Sequence, residues 1–262
     1  MEFIDTHCHL QFDKFRGREN EILTDAAMAG VKRLICPGTT LEDSQRAVQL
    51  AEEKDRVWAA AGVHPHHAGS LLADKNAAKK LKKIATVPRV VAIGETGLDY
   101  YRTVSAKEDQ RAALRVQIET GLEVNLPFIF HVRDAWEDFW KIYDSCKNIG
   151  QIKGVVHSFS SLGRHLDEIL ARGLYVGLNG IMTFTKEHNQ LEAARAVPAN
   201  RLLLETDAPF LTPAPFRNEV CEPKHLAATA DFLAELRGES LEELAKVTNS
   251  NAAELFGIDS NE

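Results

Sequence analysis

Phe3-Ile4-Asp5-Thr6-His7-Cys8-His9 is an apolar, strand-like run that closes on His-x-His, and its reading decides the fold. Side chains alternate faces along a strand, so His7 and His9 point one way and Cys8 the other. Two imidazoles at i and i+2 can share one metal ion, because both ring nitrogens can approach it to about 2 Å. Taken alone, such a pair is as readily two packed or solvated histidines. What gives it weight is recurrence: polar residues of metal-ligand type follow short apolar runs again and again along the chain.

Those apolar, β-branched runs fall at 3–5, 34–36, 57–62, 90–94, 128–130, 155–157, 174–177 and 202–205. Segments of helical character lie between and after them, at 19–28, 41–53, 76–86, 107–124, 135–146, 162–171, 187–196 and 223–236. Thr40-x-x-Asp43 reads as a capping box at one helix start, and Ser240-x-x-Glu243 as another for an extra C-terminal helix. Gly30, Gly121 and Gly173 fall near helix ends, where a left-handed cap suits glycine. The spacing suits βα units joined by right-handed crossovers. Eight such units predict an α/β fold of the (β/α)8 TIM barrel class with an extra C-terminal helix; a doubly wound open sheet is the alternative. No linker, low-complexity tract or change of composition divides the sequence, so residues 1–262 are expected to form a single domain.

Composition bounds what such a domain can do. With 44% hydrophobic and 26% charged residues the chain can bury a sizeable core. No apolar stretch approaches the roughly 20 residues needed to span a bilayer, and no basic segment precedes a hydrophobic signal. The four cysteines, Cys8, Cys36, Cys146 and Cys221, are scattered without a C-x-x-C pair, which fits a reducing cytoplasm better than a disulfide scaffold. A net charge of −7 argues against a broad basic coat for nucleic acid but leaves room for a local cationic site. Nothing in the sequence points to an obligate protein partner.

In a barrel of this class the C-terminal strand ends form the active face. Strand one delivers His7 and His9; strand three runs into His64-Pro65-His66-His67; strand four ends at Gly94-Glu95-Thr96-Gly97-Leu98-Asp99-Tyr100-Tyr101. Strand five ends at His131-Val132-Arg133-Asp134, strand six at His157-Ser158-Phe159 and strand eight at Glu205-Thr206-Asp207-Ala208-Pro209. Burying so many imidazoles and carboxylates together without pairing them would cost several kcal/mol per charged group, about the penalty a metal centre removes. Neutral imidazoles and carboxylates suit Zn, Mn, Fe or Mg rather than a closed thiolate zinc site, with Mg, Mn or Zn expected. Four histidines and two carboxylates suffice for two divalent ions, and a carboxylate at the end of strand four can bridge them. Two ions about 3.5–4 Å apart can activate a water and stabilise the oxygens of phosphoryl transfer.

As an ordered set, His7-Cys8-His9, Gly62-Val63-His64-Pro65, Gly94 through Tyr100, His131-Val132-Arg133-Asp134-Ala135, Val156-His157-Ser158-Phe159 and Glu205-Thr206-Asp207-Ala208-Pro209 resemble the TatD family of metal-dependent hydrolases. The resemblance spans nearly the whole chain. It implies a metal-dependent deoxyribonuclease on an amidohydrolase-like barrel, acting on single-stranded DNA or 3′ ends. Carried over by position, His7, His9, Glu95 and Asp207 hold one metal, and Glu95, His131 and His157 the other. Asp207 and Glu95 are then the catalytic carboxylates, with His64 and Arg133 as candidate substrate contacts. The loop after the last strand departs from the family's glycine- and arginine-containing pattern, reading Pro215-Phe216-Arg217-Asn218-Glu219-Val220-Cys221-Glu222-Pro223, and this departure bears on substrate choice.

Plainer roles compete at several positions. Asp207 can cap a turn before Pro209, and Arg133 can pair with a carboxylate as readily as clamp a phosphate. Glu205 is expected to support the site without touching a metal. His66 and His67 are expected to face solvent, and His165, His188 and His225 to be ordinary helix or loop residues. Tyr100 and Tyr101 are read equally as loop packing or as base-stacking rings, and Lys79-Lys80-Leu81-Lys82-Lys83 as the wet face of a helix. The rival activity is ester or amide hydrolysis on the same scaffold, aminoacyl-tRNA deacylation included.

Overall fold

In the computed structural model, which describes residues 1–146 and 152–258, the His-x-His stretch leaves a fully buried strand, β1 (Phe3–Asp5). It is followed by α1 (Glu19–Met28), β2 (Val31–Pro37), α2 (Leu41–Glu53), β3 (Val57–Ala61), α3 (Ala68–Ala73), α4 (Ala77–Ala85) and β4 (Val90–Asp99). Next come α5 (Lys107–Val124), β5 (Phe128–Arg133), α6 (Trp136–Ser145), β6 (Gly154–Val156), α7 (Gly163–Ala171) and β7 (Tyr175–Leu178). The series continues through α8 (His188–Ala196), β8 (Leu202–Leu204), α9 (Leu226–Arg237) and α10 (Leu241–Phe256). The strand order β1 to β8, parallel with intervening helices, is that of a (β/α)8 TIM barrel with an added C-terminal helix, as the sequence predicts. Strands with helices over them are buried on both faces, which is why they read as short continuous apolar runs rather than as alternation. Among the described residues no helix is long and apolar enough to cross a membrane.

The chain packs as two compact units, residues 1–36 with 155–262 and residues 37–154. In the first, β1 pairs with β2, and β7 pairs with both β6 and β8, all in parallel. The β8 segment also runs beside β1. The Thr6 N–H donates to the Leu204 carbonyl at 3.1 Å, the Asp207 N–H to the His7 carbonyl at 2.8 Å, and the His9 N–H to the Ala208 carbonyl at 2.7 Å. This seam carries the ladder past the regular strands and sets Asp207 beside the His-x-His pair. At the other ends of these strands α10 is tied down by side chains: the Ile4 N–H donates to Asn249 Oδ1 at 3.0 Å, and Asn251 Nδ2 donates to the carbonyls of Ala199 and Leu202, both at 2.8 Å. The α10 capping box forms as expected, Ser240 Oγ accepting from the Glu243 N–H and the Glu243 carboxylate from the Ser240 N–H.

In the second unit β4 pairs in parallel with β3 and β5. Here β4 runs five residues beyond the expected end at 94. Its ladder with β5 continues through Gly97↔His131, Leu98↔Val132 and Asp99↔Arg133. Gly97 makes this possible: at φ +155° a Cβ there would stand 1.8 Å from the His131 carbonyl oxygen. The core beneath is aromatic, Phe128 stacking on Phe130 at 5.2 Å and Phe130 meeting Phe139 edge-on at 5.2 Å. Each such side chain contributes about 1.5–3 kcal/mol by burial. Two local expectations are corrected. At α2 only half a capping box forms, because Thr40 Oγ1 accepts from the Asp43 N–H while Asp43 accepts from the N–H and hydroxyl of Thr39. Gly121 is not a helix cap but lies within α5 under the Phe128 ring, where a Cβ would meet ring carbons at 2.4 Å; the left-handed residue that ends α5 is Asn125, φ 56°.

Candidate metal centre

In the first unit His7 and His9 leave β1 on the same face, both rings buried, with their Nε2 atoms 3.3 Å apart. Cys8 points the other way, against Cys36 at 3.8 Å Sγ to Sγ, so it is the packed thiol expected of it. Asp207 enters from beyond β8, its Oδ1 lying 3.6 Å from His7 Nε2 and 3.5 Å from His9 Nε2. Burial disfavours the charged form of Asp207, but a hydrogen bond from His9 and the nearby His7, His157 and His9 rings hold its carboxyl below the ordinary range. Three donor atoms of imidazole and carboxylate type thus stand 3.3 to 3.6 Å from one another. Ligands about 2.0–2.2 Å from one tetrahedral ion are separated by about 3.4 Å, so this set fits a divalent ion.

His157, just past β6, stacks on His7 with ring centroids 4.0 Å apart. His7, His157 and Glu205 form a second group whose candidate ligand atoms lie within 4.8 Å of one another. Glu205 is fully buried; its Oε1 accepts from the Ser158 N–H at 2.6 Å and from Asn179 Nδ2 at 3.3 Å, and stands 3.6 Å from His157 Nδ1. Gly177 makes room for it, since a Cβ there would come within 2.3 Å of the other carboxylate oxygen. Asp5, also fully buried, braces the seam by accepting from the N–H groups of His7 and Thr206 and the Thr206 hydroxyl. Burial pushes its carboxyl up to about 7 despite these bonds.

The second unit gathers its own cluster. Glu95 on β4 and His131 on β5 meet at 2.9 Å, Oε1 to Nδ1, and His64 Nε2 lies 3.5 Å from the same oxygen. These three also have a ligand geometry suited to a metal. Beyond them, Asp99 Oδ2 lies 3.2 Å from His131 Nε2 and 3.0 Å from His66 Nε2, while Oδ1 accepts from the N–H groups of Tyr101 and Arg102. Burial opposes its ionisation, yet the hydrogen bonds from His131 and the Arg102 backbone and the charges of His131 and His66 hold the Asp99 carboxyl well below the usual carboxylate range. An ionised Asp99 favours a proton on His131 Nε2, the arrangement in which Nδ1, the nitrogen beside Glu95, would be the one to ligate an ion.

Of the residues singled out in the sequence, the structure therefore brings His7, His9, His157 and Asp207 together in one unit, and Glu95, His131 and His64 together in the other. Arg133 stands apart from these contacts, its exposed guanidinium 3.9 Å over the ring of Tyr101. Tyr100 belongs to loop packing: its hydroxyl donates to Asp138 at 2.7 Å and Lys107 lies over its ring. Tyr101 remains 62% exposed. The lysine run is the wet face of α4, with Lys80 paired to Asp74 and Lys82 to Glu123. His66 is a correction: it is half-buried against Asp99 rather than turned to solvent. The roles of Asp99 and Asn179 were not foreseen. For Asp99 a signal existed, because Glu95, Gly97 and Asp99 share a face once β4 is continued.

Comparison with known proteins agrees with this chemistry. A family model described as TatD related DNase matches residues 4–257. The metal-dependent hydrolase YcfH of Escherichia coli K12, itself described as uncharacterized, is 36% identical over 264 residues, which cover 100% of this chain and 98% of YcfH. A protein of Citrobacter rodentium named 3′-5′ ssDNA/RNA exonuclease TatD is 36% identical over 263 residues, 97% of each chain. The crystal structure of YJJV, a TatD homolog from Escherichia coli K12, superposes with a TM-score of 0.88 at 32% identity, covering 98% of both chains.

Proposed function

Because this chain belongs to the TatD-related DNase family of metal-dependent hydrolases, we propose that it is a phosphodiesterase that uses two divalent ions, Mg, Mn or Zn, to remove nucleotides from the 3′ end of single-stranded DNA. The observation that carries the reading is the convergence of His7, His9 and Asp207 donor atoms at 3.3 to 3.6 Å. That the Citrobacter rodentium relative is named a 3′-5′ ssDNA/RNA exonuclease supports the choice of substrate. The family resemblance assigns His7, His9, Glu95 and Asp207 to one ion and Glu95, His131 and His157 to the other. When bound, the ions supply Lewis-acid charge for the phosphate and lower the pKa of water toward neutrality.

The remaining work falls to side chains. Asp207 accepts the proton of the attacking water through a carboxylate oxygen, a role its position beside two imidazoles and its ionised state favour. Asp99 orients His131 and favours one of its tautomers, while Glu205 places a buried carboxylate beside His157. His64 and Arg133 donate to nonbridging phosphate oxygens, where negative charge grows during the reaction. The four free cysteines accord with a cytoplasmic enzyme.

The test is a screen of metal-reconstituted protein against labelled single- and double-stranded DNA, RNA and charged tRNA. Stepwise nucleotide release from the 3′ end of single-stranded DNA, abolished by chelator, is the expected result. Deacylation of charged tRNA without nucleotide release would overturn the reading.

A further inference from the structure

Three residues past Asp207 the first unit turns a phenylalanine outward. The Phe210 N–H donates to the Asp207 carbonyl at 2.9 Å, Leu211 takes a left-handed φ of 55°, and the Phe210 ring is left 52% exposed. A single exposed apolar residue carries little meaning, but this one continues an aromatic series. Its ring stands edge-on to Phe12, centroids 6.3 Å apart at 74°. Phe12 in turn stacks on His9 at 4.5 Å and 14°, while Phe210 lies 6.4 Å from the same imidazole. An aromatic corner thus begins on one of the metal-cluster histidines and ends in solvent. The loop that follows adds a cation: Arg217 donates to the Thr212 carbonyl, two residues past Phe210, and lies 3.6 Å over the Phe184 ring.

We infer that Phe12 and Phe210 form a stacking subsite for the base of the nucleotide whose phosphodiester reaches His9 and Asp207; this rests on the phosphodiesterase reading above. The chemistry matches that occupant. Every nucleobase has a flat π-face joined through its sugar to the phosphate, and aromatic rings beside a phosphate site hold bases by stacking without reading their sequence. An aliphatic ligand would gain only apolar contact from these rings, whereas a flat base can lie face to face with one of them. The subsite supplies affinity for any terminal base, and Arg217, within the Pro215–Pro223 stretch that departs from the family pattern, lies on the same loop.

The experiment uses metal-replete full-length protein and an oligodeoxynucleotide with 2-aminopurine as its 3′ base, followed by stopped-flow fluorescence before cleavage. Binding to the wild type is expected to quench the fluorophore. Phe210→Ala should lose the quench and weaken binding by about 5- to 150-fold, the range for one stacked base. Phe210→Leu, which keeps apolar packing without a ring, should behave like Phe210→Ala, and Phe210→Trp should restore the quench. In steady state, the preference of the wild type for a base-bearing over an abasic 3′ end should collapse toward one in Phe210→Ala and Phe12→Ala. A quench and preference that persist in both alanine variants overturn the inference, as does an equal loss on both substrates, which marks a structural role. A wild type that quenches through Phe210 yet releases no nucleotide sinks the phosphodiesterase reading instead and leaves base stacking standing.

Discussion

In the first unit the rings of His7, His9 and His157 are buried and turn toward one another and toward Asp207, whereas in the second each nitrogen of His131 lies against its own carboxylate, Glu95 or Asp99. Similar residue types therefore make two different electrostatic environments. The first gathers imidazole nitrogens and one carboxylate at the spacing of ligands to a single cation. In the second, carboxylates already engage the imidazoles, so its geometry is set before any ion arrives. The cluster of the second unit is thus the one already braced by carboxylate contacts.

The most severe test of that contrast is Asp207→Asn. The amide keeps the shape, so the fold and part of the metal should survive while kcat drops by about 10²-fold or more, the range for losing a positioned base. A near-normal kcat in the metal-replete variant refutes the base assignment. Asp99→Asn probes the preorganised side: metal titration should show affinity weakened by about 10- to 100-fold with the fold retained. Unchanged affinity would mean that Asp99 does not set the tautomer of His131.

Metal itself should separate the clusters through stability. An ion present at 100 times its Kd stabilises the folded state by about 2.7 kcal/mol. For a chain of this length that amounts to a Tm rise of about 5–10 °C, which chelator should reverse. His7→Ala should remove more of the rise than His64→Ala, and equal losses would erase the distinction drawn here. The smallest effect is expected from Arg133→Ala, a several-fold rise in KM at nearly constant kcat, if the arginine holds the phosphate equally in ground and transition states. A fall in kcat alone would move Arg133 from binding to chemistry.

Much of this was legible in the sequence because the strands are short, buried on both faces and followed directly by ligand-type residues. His7, His9, Glu95, His131, His157 and Asp207 stand out because an imidazole or carboxylate after an apolar strand has few structural uses. The extent of β4 was not legible. Gly94-Glu95-Thr96-Gly97 has the composition of a loop, and only the close approach of Gly97 to the His131 backbone explains why it remains strand. Cutting the strand short also hid Asp99 and with it the partner of His66. Asn179 escaped for another reason: its contact with Glu205 is made across strands and leaves no periodic trace. Nothing in the sequence singled out Phe210, since solvent exposure is not written in local sequence.

The tie between β1 and α10 has a consequence for how the protein comes into being. Ile4 donates to Asn249, a partner 245 positions later, and Asp5 accepts from Thr206, 201 positions later. Contacts so distant along the chain can form only after every residue between the partners has been synthesised, and such pairings are slow to close. The His-x-His pair thus leaves the ribosome well before Asp207 and reaches its native setting only when the β8 segment closes beside it. Until then the two imidazoles lack the carboxylate of their cluster, so an ion held by all three would have to enter after that seam has formed.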